Sequence, residues 1–469
     1  MLDLTKRLGT AFTYLYHAQY TPEKRLDILK RYSHNLLSVV RENNMILTLK
    51  NKEVTRELVG NKGFNLWTMK NELDMNVPPC LFLTTEYSKI SLLDGKLPEQ
   101  TNLLQLFLAF EGKEVAIRSS GTQSMPGMLD TFFLAKDHTS DDMFDAIRKV
   151  IESWNSKKAE QYRTICEIPH EPDIAVVIQE KVATDQLNGY AGICFTRDTV
   201  TGQRGLNGEF LKSELGDELA SGRKTGISIS ELPSEILKEL EAMCEKLEKF
   251  YRRPQDVEWG YADNQLYLLQ TRTAKLSSNA IGKIYLDLWD EGIITDFKEL
   301  DDCIDYRLTV GATLYRVSKY EKNEVIKLTT GTTASPGFCQ GHVVFLDSTR
   351  SFGGRGGGNI LFAEMTSTDD LKQIDDACGL VTINGGYTSH PAIVARELKK
   401  PCIVATKNIK FLDDKRIQIG DEVFEEGDCV TLSADTGELY KGTLESEEYH
   451  DYDDRLYKLR EEYRNKKVD

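Results

Sequence analysis

The run Gly385-Gly386-Tyr387-Thr388-Ser389-His390-Pro391-Ala392-Ile393-Val394-Ala395-Arg396-Glu397-Leu398 constrains this chain more than any other segment. It sets one histidine at the mouth of a helix, directly after a pair of glycines. Pro391 suits the first helical turn, where a missing N–H costs nothing, and Thr388 or Ser389 is placed to cap the free amides. Ile393, Val394 and Leu398 give the helix its apolar face, so His390 stands at the positive end of the helix dipole. That position favours a neutral, nucleophilic imidazole and also any anion later carried on the ring. A histidine that accepts and passes on a phosphoryl group needs both properties. A helix-capping or partly buried histidine is the other reading of this local pattern.

At 469 residues the chain has room for two to four domains with buried cores. A composition of 40% hydrophobic and 28% charged residues with only 12 prolines is that of a soluble globular protein. The net charge of -15 argues against nonspecific nucleic-acid binding, which needs clustered cations. No stretch of about 18 apolar residues predicts a membrane span, and the N-terminus does not read as a secretory signal. Nine cysteines, none in a Cys-x-x-Cys pair, fit reduced thiols in a cytoplasmic protein and mostly core packing.

Residues 1–50 read as an amphipathic helical extension. Residues 51–280 alternate short β-rich and helical runs, as an α+β nucleotide-binding domain would. Strands are expected at Val115–Arg118, Ile174–Val182, Gly189–Arg197 and Leu266–Arg272, the last pairing with Val257–Tyr261 across the turn Ala262-Asp263-Asn264. Residues 281–328 read as a mostly helical linker, 329–443 as a second β-rich domain and 444–469 as a charged helix or loose tail. The glycine-rich run from Gly353 to Gly358 lacks the Lys-Ser/Thr ending of a Walker motif and reads as a surface loop.

Four separated segments carry phosphate or metal chemistry. Gly60-Asn61-Lys62-Gly63 sets a lysine between glycines that let backbone amides approach phosphate oxygens. Val115-Ala116-Ile117-Arg118-Ser119-Ser120 delivers Arg118 from a strand into a small-residue loop, Ser124-Met125-Pro126-Gly127-Met128, able to fold over a triphosphate. Gly192-Ile193-Cys194-Phe195-Thr196-Arg197-Asp198 precedes Gly208-Glu209-Phe210. Asp256-Val257-Glu258-Trp259 faces Gln270-Thr271-Arg272 across the hairpin, bringing Glu258 beside Gln270, and Asp256 and Glu258 onto one face. Carboxylates converging with an amide suit Mg²⁺, which prefers oxygen ligands and bridges phosphates. Taken singly, each segment also reads as an ordinary turn or a solvated strand edge.

In order, these segments resemble the ATP-grasp domain of the pyruvate phosphate dikinase and phosphoenolpyruvate synthase family. The histidine run resembles that family's phosphohistidine loop, Gly-Gly-x-Thr-Ser-His-x-Ala, with proline at 391 in place of alanine. The resemblance implies an α+β fold: an ATP-grasp domain, a helical linker and a β/α phosphohistidine swivelling domain. It implies His390 as the phosphocarrier, Lys62 and Arg118 on phosphates, and Ser124, Met125, Gly127 and Met128 in a mobile loop. Gln179 and Val182 fall at the adenine hinge. Asp256, Glu258, Gln270 and Arg272 would hold Mg²⁺ and the triphosphate, with Glu258 and Gln270 as metal ligands and Arg118 and Arg272 assisting catalysis.

Two departures stand out. The family's pyruvate or phosphoenolpyruvate barrel is not encoded here, and Ala363 replaces a common arginine before Glu364 and Thr366. The expectation is therefore a kinase with paired acceptors that takes the β-phosphoryl of ATP onto His390, releases AMP, and uses phosphate or water as second substrate. The final acceptor would sit on a partner subunit. A self-sufficient small-molecule kinase and an inactive ATP-binding regulator are the alternatives, and the oligomeric state is open.

Overall fold

A computed structural model describes residues 45–95, 97–98, 106–125, 127–214, 219, 224, 226–276, 278–304, 314–319, 324–346, 358–367, 370–386, 389–412, 416–449, 455, 458–459 and 461. The expected N-terminal helix (to residue 44), most of the glycine-rich run and most of the charged tail lie outside them. Among the described residues, no helix is long and apolar enough to cross a membrane.

Two five-stranded antiparallel sheets form the first half. One runs in the order Ile46–Thr48, Cys80–Leu83, Ile174–Glu180, Val115–Gly121, Thr131–Leu134. The other runs Gln265–Thr273, Gln255–Ala262, Tyr190–Arg197, Arg204–Lys212, Ile227–Ser228. Val115, Ile117, Ile174, Val176 and Ile178 are fully buried, each contributing about 1.5–3 kcal/mol of hydrophobic stabilisation. Ile46–Thr48 corrects the reading of residues 1–50 as helical, because this short segment pairs with Cys80–Leu83 and closes a sheet edge.

The expected hairpin forms with Asp263 and Asn264 at its tip, both at positive φ (51° and 59°), the left-handed pair that a tight two-residue turn requires. Its register sets Gln270 opposite Glu258 and Arg272 opposite Asp256. A bulge between Leu268 and Gln270 re-aims these side chains.

Helices Ser278–Asp290 and Phe297–Cys303 lead to the second half. There an eight-stranded sheet holds a parallel centre, Phe338–Phe345, Gly358–Ala363, Gly379–Thr382 and Cys402–Val404, flanked by antiparallel strands. Parallel strands need crossovers, and helix His390–Glu397 is the crossover between Gly379–Thr382 and Cys402–Val404. Its start therefore lies at the carboxyl end of a parallel strand, where open α/β sheets place their ligand sites.

The linker and tail are less helical than expected. Leu314–Val317 pairs antiparallel with Ser446–Tyr449, forming a ribbon between segments read as helix and loose tail. The two halves share one apolar cluster in which Met143, Ile147 and Tyr162 of the first pack with Leu371, Ile374 and Ala395 of the second.

Candidate active site

The Gly60–Gly63 motif lies at a kink within helix Arg56–Asn71, where non-helical Gly60 divides two helical segments and Asn61-Lys62-Gly63 opens the second. The helix kinks at Gly60 (φ 66°, ψ 178°). A β-carbon on Gly60 would fall 2.0 Å from the Ser120 carbonyl oxygen, so the glycine is what lets the helix touch the strand end. Three bonds stitch that contact: Asn61 Nδ2 to Thr122 O, Gly63 N to Ser120 Oγ (3.1 Å) and Lys62 Nζ to Ser119 O (2.8 Å). Burial, and then the charge of Arg118, lowers the Lys62 ammonium from its usual value to about 7.

Arg118 is the hub. Its Nη2 donates to Glu258 Oε2 at 2.7 Å and to Gln270 Oε1 at 3.2 Å, and its Nη1 donates to Gln179 Oε1 at 3.1 Å. Gln270 Nε2 donates to Glu258 Oε1 (3.1 Å), and Arg272 Nε to Asp256 Oδ2 (2.7 Å). Burial would raise the Glu258 carboxyl, but Arg118, Arg272 and Lys62 outweigh it and hold it below the usual carboxylate range. For Asp256 burial prevails over Arg272, and its pKa is raised. Two side-chain oxygens, from Glu258 and Gln270, thus already converge on one cationic atom. That donor set fits Mg²⁺, with Arg118 free to turn to a phosphate.

These groups line a cleft of about 1800 Å³ between the two sheets. Lys62, Arg118, Ser124, Met125, Gly127, Gln179, Val182, Asp256, Glu258, Gln270 and Arg272 all face it. Met128 does not. It is fully buried in the apolar cluster, and this corrects its assignment as a nucleotide contact. The amide nitrogen of Gln179 and the hydroxyl of Ser119 are buried beside the cleft without hydrogen-bond partners, a cost that a bound polar group would relieve.

The histidine-bearing helix meets this cleft through Ile393. Gly386 lies against Glu209, and a β-carbon there would fall 2.2 Å from Glu209 Oε1. Ser389 precedes the helix but does not cap it, since its hydroxyl donates to Gly386 O at 2.6 Å and tightens the turn instead. Pro391 occupies the first turn as expected. His390 opens the helix, and Ile393, one turn on, lines the cleft together with Met365, Thr366 and Asp370. Sequence reasoning missed Lys275, Thr366 and Asp370, which belong to no phosphate-binding pattern; Thr366 and Asp370 come to the cleft from the second half.

Two sheets closing on a cation-lined cleft, with a β/α unit presenting a histidine-led helix to it, define an ATP-grasp protein joined to a mobile-domain fold. Residues 100–210 and 210–290 match the pyruvate phosphate dikinase AMP/ATP-binding domain, and 356–437 match the mobile domain of PEP-utilising enzymes. The chain belongs to the pyruvate phosphate dikinase and phosphoenolpyruvate synthase family. It is similar to pyruvate, phosphate dikinase of Clostridium symbiosum (32% identity over 66% of this chain and 36% of that one). The Rickettsia prowazekii protein of that name is 34% identical over 64% and 35%, and the chloroplastic one of Flaveria trinervia 33% over 63% and 32%. The chain therefore spans about a third of the length of these relatives. A structure of D-alanine–D-alanine ligase from Bacillus anthracis matches at 13% identity over 52% of this chain and 65% of that one, with a TM-score of 0.27, too loose to carry an argument.

Proposed function

We propose that this chain is an ATP-dependent phosphotransferase that phosphorylates its own His390 and passes the group to an acceptor held on a partner subunit. One observation carries the reading: the helix that His390 opens packs its first turn against the cleft lined by Lys62, Arg118, Glu258, Gln270 and Arg272.

Lys62, Arg118 and Arg272 bind and neutralise the triphosphate, while Gln179 and Val182 flank the adenine. The loop of Ser124, Met125 and Gly127 covers the phosphates and excludes water. Glu258 and Gln270 hold Mg²⁺, which supplies charge neutralisation on the phosphate oxygens when bound. A neutral His390 nitrogen attacks the β-phosphorus in line. A nitrogen–phosphorus bond forms, the bridging bond to the α-phosphate breaks, and AMP leaves with that electron pair. The terminal phosphate then passes to inorganic phosphate or water. Arg118 and Arg272 stabilise charge that grows during transfer, and tethering keeps the carrier concentrated near the cleft.

The test is ATP labelled separately at the β and γ positions. Acid-labile β-label should appear on the wild type and vanish in His390→Ala, with ATP affinity kept. Label that survives His390→Ala, or a nucleotide-bound wild type that never labels, refutes the assignment.

A further inference from the structure

Lys275 lies three residues beyond Arg272 and lines the same cleft as Lys62, Arg118 and Arg272. Its ammonium nitrogen nevertheless sits 2.9 Å from Oε1 of Glu397, on the last residue of helix His390–Glu397. The pair is unequal: the Lys275 side chain is 45% exposed and that of Glu397 only 16%. The other carboxylate oxygen of Glu397 is buried, with the Tyr162 hydroxyl as a loose hydrogen-bonding neighbour outside ordinary geometry. Burial, and then the nearby Glu397 charge, push the phenol of Tyr162 up, so this carboxylate also faces helix Lys157–Ile165. An under-solvated carboxylate on the histidine-bearing helix thus depends on a lysine that belongs to the cleft.

We propose that Lys275 is a shared cation, divided between Glu397 and the phosphates of a bound nucleotide, so that filling the cleft loosens the seat of the helix that carries His390. The inference rests on the reading of the cleft as an ATP site. A polyanion draws Lys275 toward itself, Glu397 loses its direct ion pair and keeps only the longer-range charge of Arg272, and the docked pose weakens. By linkage, whatever removes the claim of Glu397 on Lys275 must strengthen nucleotide binding. This makes Lys275 a positioning residue whose effect has a sign that simple packing does not produce.

The test uses the full chain carrying His390→Ala, so that Mg²⁺–ATP binds without turnover, and measures ATP affinity by calorimetry. Glu397→Gln should tighten ATP roughly two- to fivefold, the range of a partly exposed ion pair. Lys275→Met should weaken it by at least about threefold. In the Lys275→Met background, Glu397→Gln should tighten ATP much less than in the parent, leaving only its weaker action on Arg272, which closes the double-mutant cycle.

Cys166 gives an independent readout. It is half-buried, and both Lys275 and Glu397 act on its thiol, so its alkylation rate reports the seat of the helix. ATP should change that alkylation rate in the parent and leave it unchanged in Lys275→Met. Unchanged or weakened ATP affinity in Glu397→Gln, or tightening that persists undiminished without Lys275, overturns the sharing while leaving the ATP site standing. Failure of the parent to bind ATP at all overturns both.

Discussion

Lys62 shows how far a single side chain was readable. A lysine between two glycines pointed to phosphate, but nothing in the motif indicated that burial would bring its ammonium to about 7. That shift has a signed consequence. The free protein loses the Lys62 proton as pH rises through 7, and a polyphosphate favours the charged form. ATP should therefore bind with uptake of close to one proton near pH 8, and its affinity should fall as pH rises above 7. Calorimetry in buffers of different ionisation enthalpy measures that uptake, and Lys62→Met should abolish it. For folding the sign is reversed. The unfolded lysine titrates near 10.5, so the cost of the buried ammonium is complete below pH 7, shrinks between pH 7 and 10.5 and is gone above that. Met128 marks the limit of legibility at this scale: both loop methionines pack into the apolar cluster, and the motif does not say that only Met125 also faces the cleft.

Among the elements, the hairpin was the most legible, because alternation and a two-residue turn fix register locally. Spacing brought Glu258 near Gln270, and the bulge after Leu268, which no spacing announces, set them directly opposite. The helix around Lys62 was harder, since the kink at Gly60 exists only because Ser120, sixty residues on, lies against it. Gly60 holds a backbone conformation (φ 66°, ψ 178°) open essentially to glycine. Gly60→Ala should cost more than about 2 kcal/mol from backbone strain and the carbonyl contact together. It should also weaken ATP binding by displacing Lys62. Chemical denaturation and calorimetry on the same variant check both, and an unchanged unfolding midpoint would sink the argument. The ribbon strands Leu314–Val317 and Ser446–Tyr449 were missed for the same reason, each being too short to declare itself without its partner.

Across the whole molecule, a buried ionic network ties the first half to the linker. Arg197 donates to Glu248 (2.6 Å) and to Glu291 (2.9 Å), with side-chain exposures of 5%, 8% and 25%. The sequence reading saw Arg197 only as part of a strand motif, because its partners lie 51 and 94 residues away. Arg197→Met strands the Glu248 carboxylate in the interior and should cost about 3–5 kcal/mol. The guanidinium unfolding transition, followed by fluorescence of the buried Trp154 and Trp259, measures the loss. A variant as stable as the parent would show the network to be idle. Fold class was readable because it rests on the order of many motifs; the packing of the halves was not, because no short pattern encodes a contact between distant segments.

The paired strands Leu314–Val317 and Ser446–Tyr449 bracket the histidine-bearing half at its entry and its exit, and Arg316 of one meets Glu447 of the other at 2.6 Å. Beyond them, Arg455 returns to Asp287 and Asp290 of helix Ser278–Asp290. A body hung from two adjoining cords turns like a door on its jamb. On the proposed phosphocarrier role, the path of His390 would then be an arc in one plane, with its acceptor along that sweep.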